Sequence, residues 1–253
     1  MSQITTIILA ETASELLIKA IHSVKTSDFI LIIDTSGKLS SFKVTGIDFN
    51  IIRYPKVFTS FSAVRNWALT QAQTDWVFFL DSDEQLESGG IKRLTQIISQ
   101  TQTSALSIVR SDIFLNQPLK FGEAGRQSLP RIFKKNQVRY IGSVHERPQV
   151  LGRIMPTDLI IWHFSHSSLT QFLNTINGYA QLVALEKIHH HSTGLIIIWI
   201  KLLTFPLGKL IYNLIIKQGL RDGWRGLIYA TIMSLHSLLV RIYQLELVYA
   251  KNK

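Results

Sequence analysis

The sequence predicts an α/β fold, in which a sheet flanked by helices is followed by a helical C-terminal extension. In the first half, short apolar runs alternate with helical patterns, as βαβ units require. The most apolar of these runs leads directly into a group of acids, and beyond Phe164 the pattern is helical to the end. For a chain of 253 residues, we expect one α/β domain over 1–190 and a basic amphipathic helical region over 191–253.

The composition narrows the class of protein. Hydrophobic residues make up 46% of the chain, enough for a large core, and charged residues only 17%. Cysteine is absent, which excludes disulfides, thiolate nucleophiles and cysteine-ligated metals. The formal net charge of +10 favours an anionic partner. Nucleic acid is not expected, because much of the positive charge lies among leucines and isoleucines in the last quarter.

Each element of the first half follows from its local pattern. Apolar runs predict strands at 4–10, 29–33, 51–52, 76–80 and 106–109. Helical periodicity predicts helices over about 15–25, 60–73 and 91–99. We expect the 76–80 strand to be central because it is the most apolar. Short strands at 132–133 and 138–141 predict a hairpin around a polar tetrapeptide.

Acidic residues follow two of the predicted strands. Asp34 ends the second strand, and Asp81 and Asp83 follow the central one. Ligands of open α/β sheets bind at this edge, and residues i and i+2 of an extended chain point the same way. With no Lys or Arg beside them in the sequence, two such carboxylates suit a divalent cation. The alternative from the residues alone is an acidic N-cap of the following helix.

Motifs in order along the chain identify a family. They are F-S-A-V-R-N-W-A at 61–68, D-W-V-F-F-L-D-S-D-E at 75–84, P-R-I-F-K-K at 130–135, G-S-V-H-E-R at 142–147, W-H-F-S at 162–165 with Tyr179, and G-L-R-D-G-W-R-G at 219–226. Together they resemble the family 2 glycosyltransferases of GT-A fold, a Rossmann-like mixed sheet flanked by helices. Within that family the sequence is most similar to lipopolysaccharide-core and other cell-envelope enzymes.

The resemblance implies an inverting transfer from a nucleoside diphosphate sugar, with UDP as the expected nucleotide, to a lipid-linked or envelope glycan. It implies Mn²⁺ or Mg²⁺ as cofactor. Carried over by position, the residues and their roles are Asp34 at the base or ribose, Arg65 near the base and pyrophosphate, Asp81 and Asp83 at the metal and diphosphate, Glu146 as general base, and Arg131 and His145 as phosphate or acceptor contacts. His163 either adds a metal or phosphate contact or serves in packing.

Two nucleotide-side segments depart from the family pattern. The first strand ends in A-E-T-A at 10–13 instead of T-K-N-E or T-Y-N, and the segment at 34–37 is a shortened D-T-S-G. These departures leave open a catalytically degenerate, membrane-surface binding module of GT-A type. A nucleotidyltransferase is the other alternative, although it would normally carry a glycine-rich, basic loop after its first strand.

Basic residues elsewhere leave further alternatives. Arg131, Lys134 and Lys135 are expected to contact phosphates or to lie on a solvated hairpin.

The apolar segment 195–216 is interrupted by Lys201, Pro206 and Lys209, and a membrane-spanning helix needs about 20 apolar residues. We therefore expect interfacial helices on an anionic membrane, with the protein peripheral at its cytoplasmic face. A helical cap on the catalytic domain, or a re-entrant 195–216, are the alternatives. No signal peptide is recognised at the N-terminus.

Overall fold

The structure is a computed structural model that describes residues 3–142, 146–164, 168–190 and 194–251. The chain divides into two compact units. The first contains Met1–Ser111 and Gln127–Phe164, and the second contains Asp112–Arg126 and Ser165–Lys253.

A mixed sheet forms the centre of the first unit. The strands of the chain are β1 Ile4–Ala10, β2 Phe29–Asp34, β3 Asn50–Arg53, β4 Trp76–Asp81, β5 Glu84–Leu86, β6 Ala105–Phe114, β7 Gln117–Pro118, β8 Gln127–Lys134, β9 Val138–Ile141, β10 Arg147–Val150 and β11 Ile154–His163. The sheet order is β3-β2-β1-β4-β8-β6-β11-β5. Strands β3, β2, β1 and β4 are parallel, and β8 runs antiparallel to both β4 and β6. The predicted central position of β4 is confirmed, and the architecture is the GT-A-like fold expected.

Three helices cover the two faces of this sheet: α1 Glu15–Ser23, α2 Phe61–Gln71 and α3 Gly90–Gln100. Alternate residues of β1 point to opposite faces, so Ile8 packs with α1 and α3 while Ile7 packs with α2. Ser14 and Ser60 cap α1 and α2 by accepting hydrogen bonds from the N–H groups of Leu17 and Ala63. Both faces of the parallel strands are thereby buried.

One local prediction is wrong, and one alternative is excluded. β8 pairs with β4 and β6, while β9 pairs with β10, so the 132–141 segment is not a hairpin. The acids at 81–84 do not cap a helix, because Glu84 begins β5 and α3 starts only at Gly90. The N-cap alternative for Asp83 is thereby excluded.

The second unit is helical. It contains α4 Leu169–His190, α5 Leu195–Ile211, a π-helical turn Tyr212–Ile216, a 3₁₀ turn Gly219–Asp222 and α6 Gly223–Lys251. α6 packs along both α4 and α5, and Phe172 and Ile176 of α4 share a core with Phe114 and Ile232. α4 belongs to this helical unit, which begins after Phe164, whereas the sequence suggested a boundary at 190/191.

The G-L-R-D-G-W-R-G segment at 219–226 holds the 119–126 loop within this unit. The Asp222 carboxylate accepts hydrogen bonds from the backbone N–H groups of Lys120 and Phe121, at 3.0 and 2.8 Å. A Cβ at Gly219 would lie 2.7 Å from the backbone oxygen of Asn213, so a larger residue does not fit there. The motif therefore packs against a loop that lies about 100 residues earlier in the chain and accepts hydrogen bonds from its backbone N–H groups.

Among the described residues, two helical stretches of the second unit are long and apolar enough to cross a membrane by length and composition. They are Leu195–Ile216, with a mean hydropathy of 1.8, and Gly219–Ala250, with 1.3. Such stretches are weak evidence by themselves, since core helices of soluble proteins also qualify. The helix continues through Lys201 and Pro206, so the interruptions at these residues do not exclude a span on grounds of length, contrary to the sequence-based argument.

Candidate active site

The carboxyl ends of the parallel strands bring the first acids to one edge. β1 lies between β2 and β4, with Ala10 paired to Asp34 on one side and Leu9 paired to Asp81 on the other. The strand-end placement expected for these two acids is therefore confirmed. Their environments differ, and the difference decides what each can do.

Asp34 organises its own loop. Its Oδ1 accepts hydrogen bonds from the N–H groups of Ser36 and Gly37, at 3.0 and 2.7 Å, and its Oδ2 accepts one from Leu39 at 2.9 Å. The residue is 2% exposed. Burial alone would raise the pKa of Asp34, but these backbone donors outweigh it and hold the pKa below its ordinary value. Both oxygens are thus committed to the loop, on the side where a nucleotide contact was expected.

Asp34→Ala is expected to lower the free energy of unfolding at neutral pH by about 1–3 kcal/mol, because buried donors lose their acceptor. The folded-state pKa of Asp34 is depressed, so its contribution is present above pH about 4 and is lost as the pH falls through that folded value. Thermal unfolding of wild type and variant across pH 2–7 checks this. A constant difference between the two proteins across the range would contradict it.

Asp81 is held between two arginines. Arg65 Nη2 donates to its Oδ1 at 2.6 Å, and Arg131 Nη2 donates to its Oδ2 at 2.8 Å. Burial opposes ionisation, but Arg131 and Arg65 more than compensate and hold the pKa of Asp81 well below its usual range. The premise that no cation lies near this acid is therefore wrong. Two charge-assisted bonds occupy the carboxylate that was expected to share a metal with Asp83.

Arg131 also binds a second, fully buried acid. Its Nη2 lies 2.8 Å from Glu84 Oε1, and the backbone N–H of Asp81 donates to Glu84 Oε2 at 3.0 Å. Burial raises the pKa of Glu84 despite the attraction of Arg131. Arg131 was expected to contact a phosphate or an acceptor, but it lies in a buried ion-pair network. In this network the charges of two acids, Asp81 and Glu84, are compensated by those of Arg65 and Arg131.

Arg65 is buried beneath aromatic rings. Its guanidinium carbon lies 5.2 Å from the ring centre of Phe79 and 5.4 Å from that of Tyr140. Burial raises the pKa of the Tyr140 hydroxyl to about 12. The neighbouring Asn66 fixes the position of Tyr140, because its amide exchanges two 2.8 Å hydrogen bonds with the backbone of that residue. The V-R-N segment at 64–66 therefore attaches α2 to β9.

Glu146 follows β9 and lies against this cluster. Its Oε1 is 3.7 Å from Arg65 Nε, and its side chain is partly exposed. Arg65 Nε and Nη1 are buried and make no hydrogen bond to a described residue. The sequence suggested Arg147 or Arg131 as ion-pair partners of Glu146, but the ion pair in the structure is with Arg65. His145, the other residue expected here, lies outside the described residues.

Asp83 and His163 form a separate pair on the turn after β4. Antiparallel pairing of β5 with β11 sets Glu84 opposite His163, and the Phe164 N–H donates to the Asp83 backbone oxygen at 2.8 Å. As a result Asp83 Oδ2 lies 3.4 Å from His163 Nε2, and both side chains are partly exposed. A carboxylate and an imidazole at this separation are both usable metal ligands.

The fit of a divalent cation can be tested on these residues. Within the described ranges, no group of three or more His, Asp or Glu side chains could hold a metal. Mg²⁺, however, is commonly held by one or two carboxylates together with water and substrate phosphates. Asp83 and His163 fit that minimal arrangement, whereas both oxygens of Asp81 are bonded to arginines.

The remaining basic residues lie elsewhere. Lys134 pairs with Trp76, at the start of β4 and therefore at the opposite edge of the sheet from Asp81. Its Nζ lies 5.6 Å from the Trp76 ring centre, and Lys135 Nζ donates to the backbone oxygen of Ala72. The three-residue basic cluster of the sequence is thus divided by the antiparallel course of β8.

Sequence reasoning missed Glu84, Asn66 and Tyr140 as parts of the site. Glu84 stood inside the acidic motif, and Asn66 inside the F-S-A-V-R-N-W-A motif, but neither was given a role. Tyr140 carried no signal, because its place is fixed by Asn66, 74 residues earlier in the chain.

Comparisons with known proteins give a family match and distant structural matches. The model of the family described as Glycosyl transferase family 2 matches residues 6–153. A TPR repeat-containing protein of Synechococcus elongatus is 24% identical over 148 residues, which make up 58% of this chain and 35% of that protein. The chain therefore spans about a third of that relative's length.

Among solved structures, S. aureus TarS 1-349 in complex with UDP-GlcNAc aligns over 99% of this chain and 92% of that chain, at 11% identity and a TM-score of 0.47. A further S. aureus TarS structure aligns over 96% of this chain and 55% of that chain, at 13% identity and a TM-score of 0.46. These structures are too distant to assign the fold, which is assigned from the strand order described above and from the family match.

Proposed function

The chain belongs to glycosyl transferase family 2, and from this premise we propose that it transfers a sugar, with inversion, from a UDP-linked donor to a lipid-linked or envelope glycan. The proposal includes Mn²⁺ or Mg²⁺ as cofactor and a peripheral location at the cytoplasmic face of the cell membrane. The family match also favours glycosyl transfer over the nucleotidyltransferase alternative. The observation that carries the proposal is the row of Glu146, Arg65 and Asp81 at the carboxyl edge of β4, beside Asp83 and His163.

Glu146 is the base in this proposal. A single displacement at a sugar carbon needs one group to accept the proton of the acceptor hydroxyl, and a partly exposed carboxylate can do so. The 3.7 Å ion pair with Arg65 orients the Glu146 carboxylate. Arg65 is itself anchored on Asp81, so the base rests on a buried, charge-balanced support.

The departing nucleoside diphosphate needs positive charge. A divalent cation held by Asp83 and His163 would supply Lewis-acid stabilisation of that leaving group. Arg65 and Arg131 neutralise Asp81 and Glu84 beneath this turn, which lowers the repulsion that an anionic donor would meet. Asp83, with its partly exposed carboxylate, is left as the acid that would hold the cation.

The membrane part of the proposal rests on the helical unit. Along α5, residues four and three apart form one outward face of large apolar side chains, with Ile196 75% exposed and Leu203 70% exposed. Lys201 and Lys209 lie on the other side of that helix with the buried Ile198. A helix with an apolar face on one side and cations on the other suits the interface of an anionic bilayer.

Asp83→Asn tests the metal assignment. We expect donor hydrolysis stimulated by Mn²⁺ or Mg²⁺ to fall by roughly a hundredfold or more, because Lewis-acid stabilisation is worth several kcal/mol. The thermal midpoint of the metal-free protein should stay unchanged, since the carboxylate is surface-exposed. Hydrolysis of a panel of nucleotide sugars at varied metal concentration is the measurement. Asp158→Asn, another exposed acid, is the matched control, and full metal response in Asp83→Asn would refute the assignment.

A further inference from the structure

Three cations of the helical unit, one on each long helix, have no ion-pair partner among the described carboxylates. Lys187 lies on α4, Lys201 on α5 and Arg241 on α6. In the described part of the chain, none of the three forms an ion pair with an Asp or Glu side chain. Glu186 precedes Lys187 on α4, but it is exposed and makes no ion pair with that lysine. Lys209, by contrast, is paired with Glu123.

Arg241 is the buried member of this cation cluster. It is 4% exposed, and its Nε is buried without a hydrogen-bond partner among the described residues. Its guanidinium carbon lies 4.8 Å from the ring centre of Phe205, and Lys201 Nζ lies 5.8 Å from the same ring centre. Burial lowers the pKa of Lys187, repulsion by Arg241 and Lys201 lowers it further, and the attraction of Glu186 offsets only part of this. The three cations are therefore within electrostatic reach of one another.

Such a cluster is costly without an anion. Buried donors are normally hydrogen-bonded, and an unpaired buried charge destabilises a fold. A cation–π contact with Phe205 offsets only a small part of that cost. Phe205 is half exposed, so the cluster opens to the surface at its ring. The arrangement has the properties of a binding site for an anion that reaches it from outside.

The surroundings of this opening are apolar. Ile197 and Ile200 lie one turn and one residue before Lys201 on α5, and both are about half exposed. An ordinary surface helix carries its charges outward and its apolar residues inward, whereas here the lysine lies beside the helix packing and the isoleucines face out. A ligand that combines an anionic group with hydrocarbon would match both surfaces.

We propose that Lys187, Lys201 and Arg241 bind the phosphate of a membrane phospholipid, whose acyl chains lie along Ile197 and Ile200 of α5. The site rests on the membrane association in the proposed function, and it adds a discrete headgroup position to a surface that would otherwise attract anionic lipid only diffusely. The guanidinium and the two ammonium groups supply charge-assisted hydrogen bonds to the phosphate oxygens.

The test uses the full chain and a soluble short-chain lipid, dihexanoyl phosphatidylglycerol, below its micelle concentration, with inorganic phosphate in a parallel titration. Calorimetry should show saturable binding of the lipid. Arg241→Met and Lys201→Gln should each weaken it by roughly tenfold or more, since a hydrogen bond to a charged group contributes about 1.5–3 kcal/mol. Lys217→Gln removes an exposed charge from the same unit and should leave the affinity unchanged.

The thermal midpoint separates a ligand site from a structural arginine. Without lipid, Arg241→Met should unfold at the same or a higher temperature than wild type, because an unpaired buried charge has been removed, and lipid should no longer raise its midpoint. A lower midpoint in both Arg241→Met and Lys201→Gln, with lipid affinity retained, would overturn the proposal. So would equal losses of affinity in Lys217→Gln, or inorganic phosphate that binds as tightly as the lipid.

Donor hydrolysis measured on the same proteins keeps this proposal separate from the proposed function. The acids and arginines that would bind the donor belong to the first unit, so Arg241→Met should hydrolyse nucleotide sugar at the wild-type rate in solution. Lipid binding in a protein that hydrolyses no nucleotide sugar would contradict the proposed function and support the lipid site.

Discussion

Glu146→Gln is expected to reduce glycosyl transfer by roughly 10²–10⁴-fold, the usual contribution of a positioned general base. Glutamine keeps the size and the partial exposure of the side chain but cannot accept a proton from the acceptor hydroxyl. The loss should fall on the maximal rate and not on donor affinity, because Glu146 contacts Arg65 and not the Asp83–His163 pair. Transfer to an acceptor and calorimetric titration with donor measure the two effects.

Glu15→Gln provides a matched control for this substitution, since Glu15 is an exposed glutamate in the first turn of α1. It should leave transfer unchanged. Wild-type transfer in Glu146→Gln would assign the base to another residue. Equal losses of donor affinity and rate would mean that Glu146 binds the donor and does not deprotonate the acceptor.

Arg131→Met is expected to lower the free energy of unfolding by about 3–5 kcal/mol, the range for breaking a buried ion pair by removing one partner. The variant leaves Glu84 fully buried without its cation and leaves Asp81 with Arg65 alone. Burial already raises the pKa of Glu84, and loss of Arg131 will raise it further. A raised folded-state pKa means that the variant is least impaired below pH about 4.5, and that its deficit grows as the pH rises to neutral.

Chemical denaturation of four proteins checks this coupling: wild type, Arg131→Met, Glu84→Gln, and the double variant. The double variant should be more stable than the two single effects predict when added, because it no longer buries an unpaired carboxylate. Additive losses with no dependence on pH would show that Arg131 stabilises the fold through packing alone.

The sequence predicted the parallel part of the fold well. Strands such as β4 are buried on both faces and read as continuous apolar runs, and the periodicity of buried residues marks α1 and α2 locally. The wrong hairpin has a different origin. β8 pairs with β4 and β6, which are distant in the chain, and the local hydrophobic pattern of β8 does not show which strands it pairs with. The same holds for α4, whose periodicity shows a helix but not that it packs with α6.

For the site, the positions of Asp81 and Asp83 were predicted, but not their partners. The i and i+2 rule places two side chains on one face only while the strand continues, and the chain turns at Ser82 and Asp83. The cations that bind Asp81 come from 16 residues before it and 50 residues after it. Their approach depends on α2 covering one face of the sheet and on β8 pairing with β4, which no spacing in the sequence encodes.

The loop that Asp222 holds has a consequence for the order in which the protein can be built. Lys120 leaves the ribosome 102 residues before the carboxylate that accepts its N–H. Until then the Lys120 and Phe121 N–H groups in the 112–126 excursion between β6 and β8 lack their acceptor, and the closure entropy of this contact must be met across a long intervening chain. The sheet can form during synthesis, whereas the helical unit can be completed only after α6 has emerged. A nascent chain halted before residue 222 should therefore expose the 119–126 loop to proteases, and a finished chain should protect it.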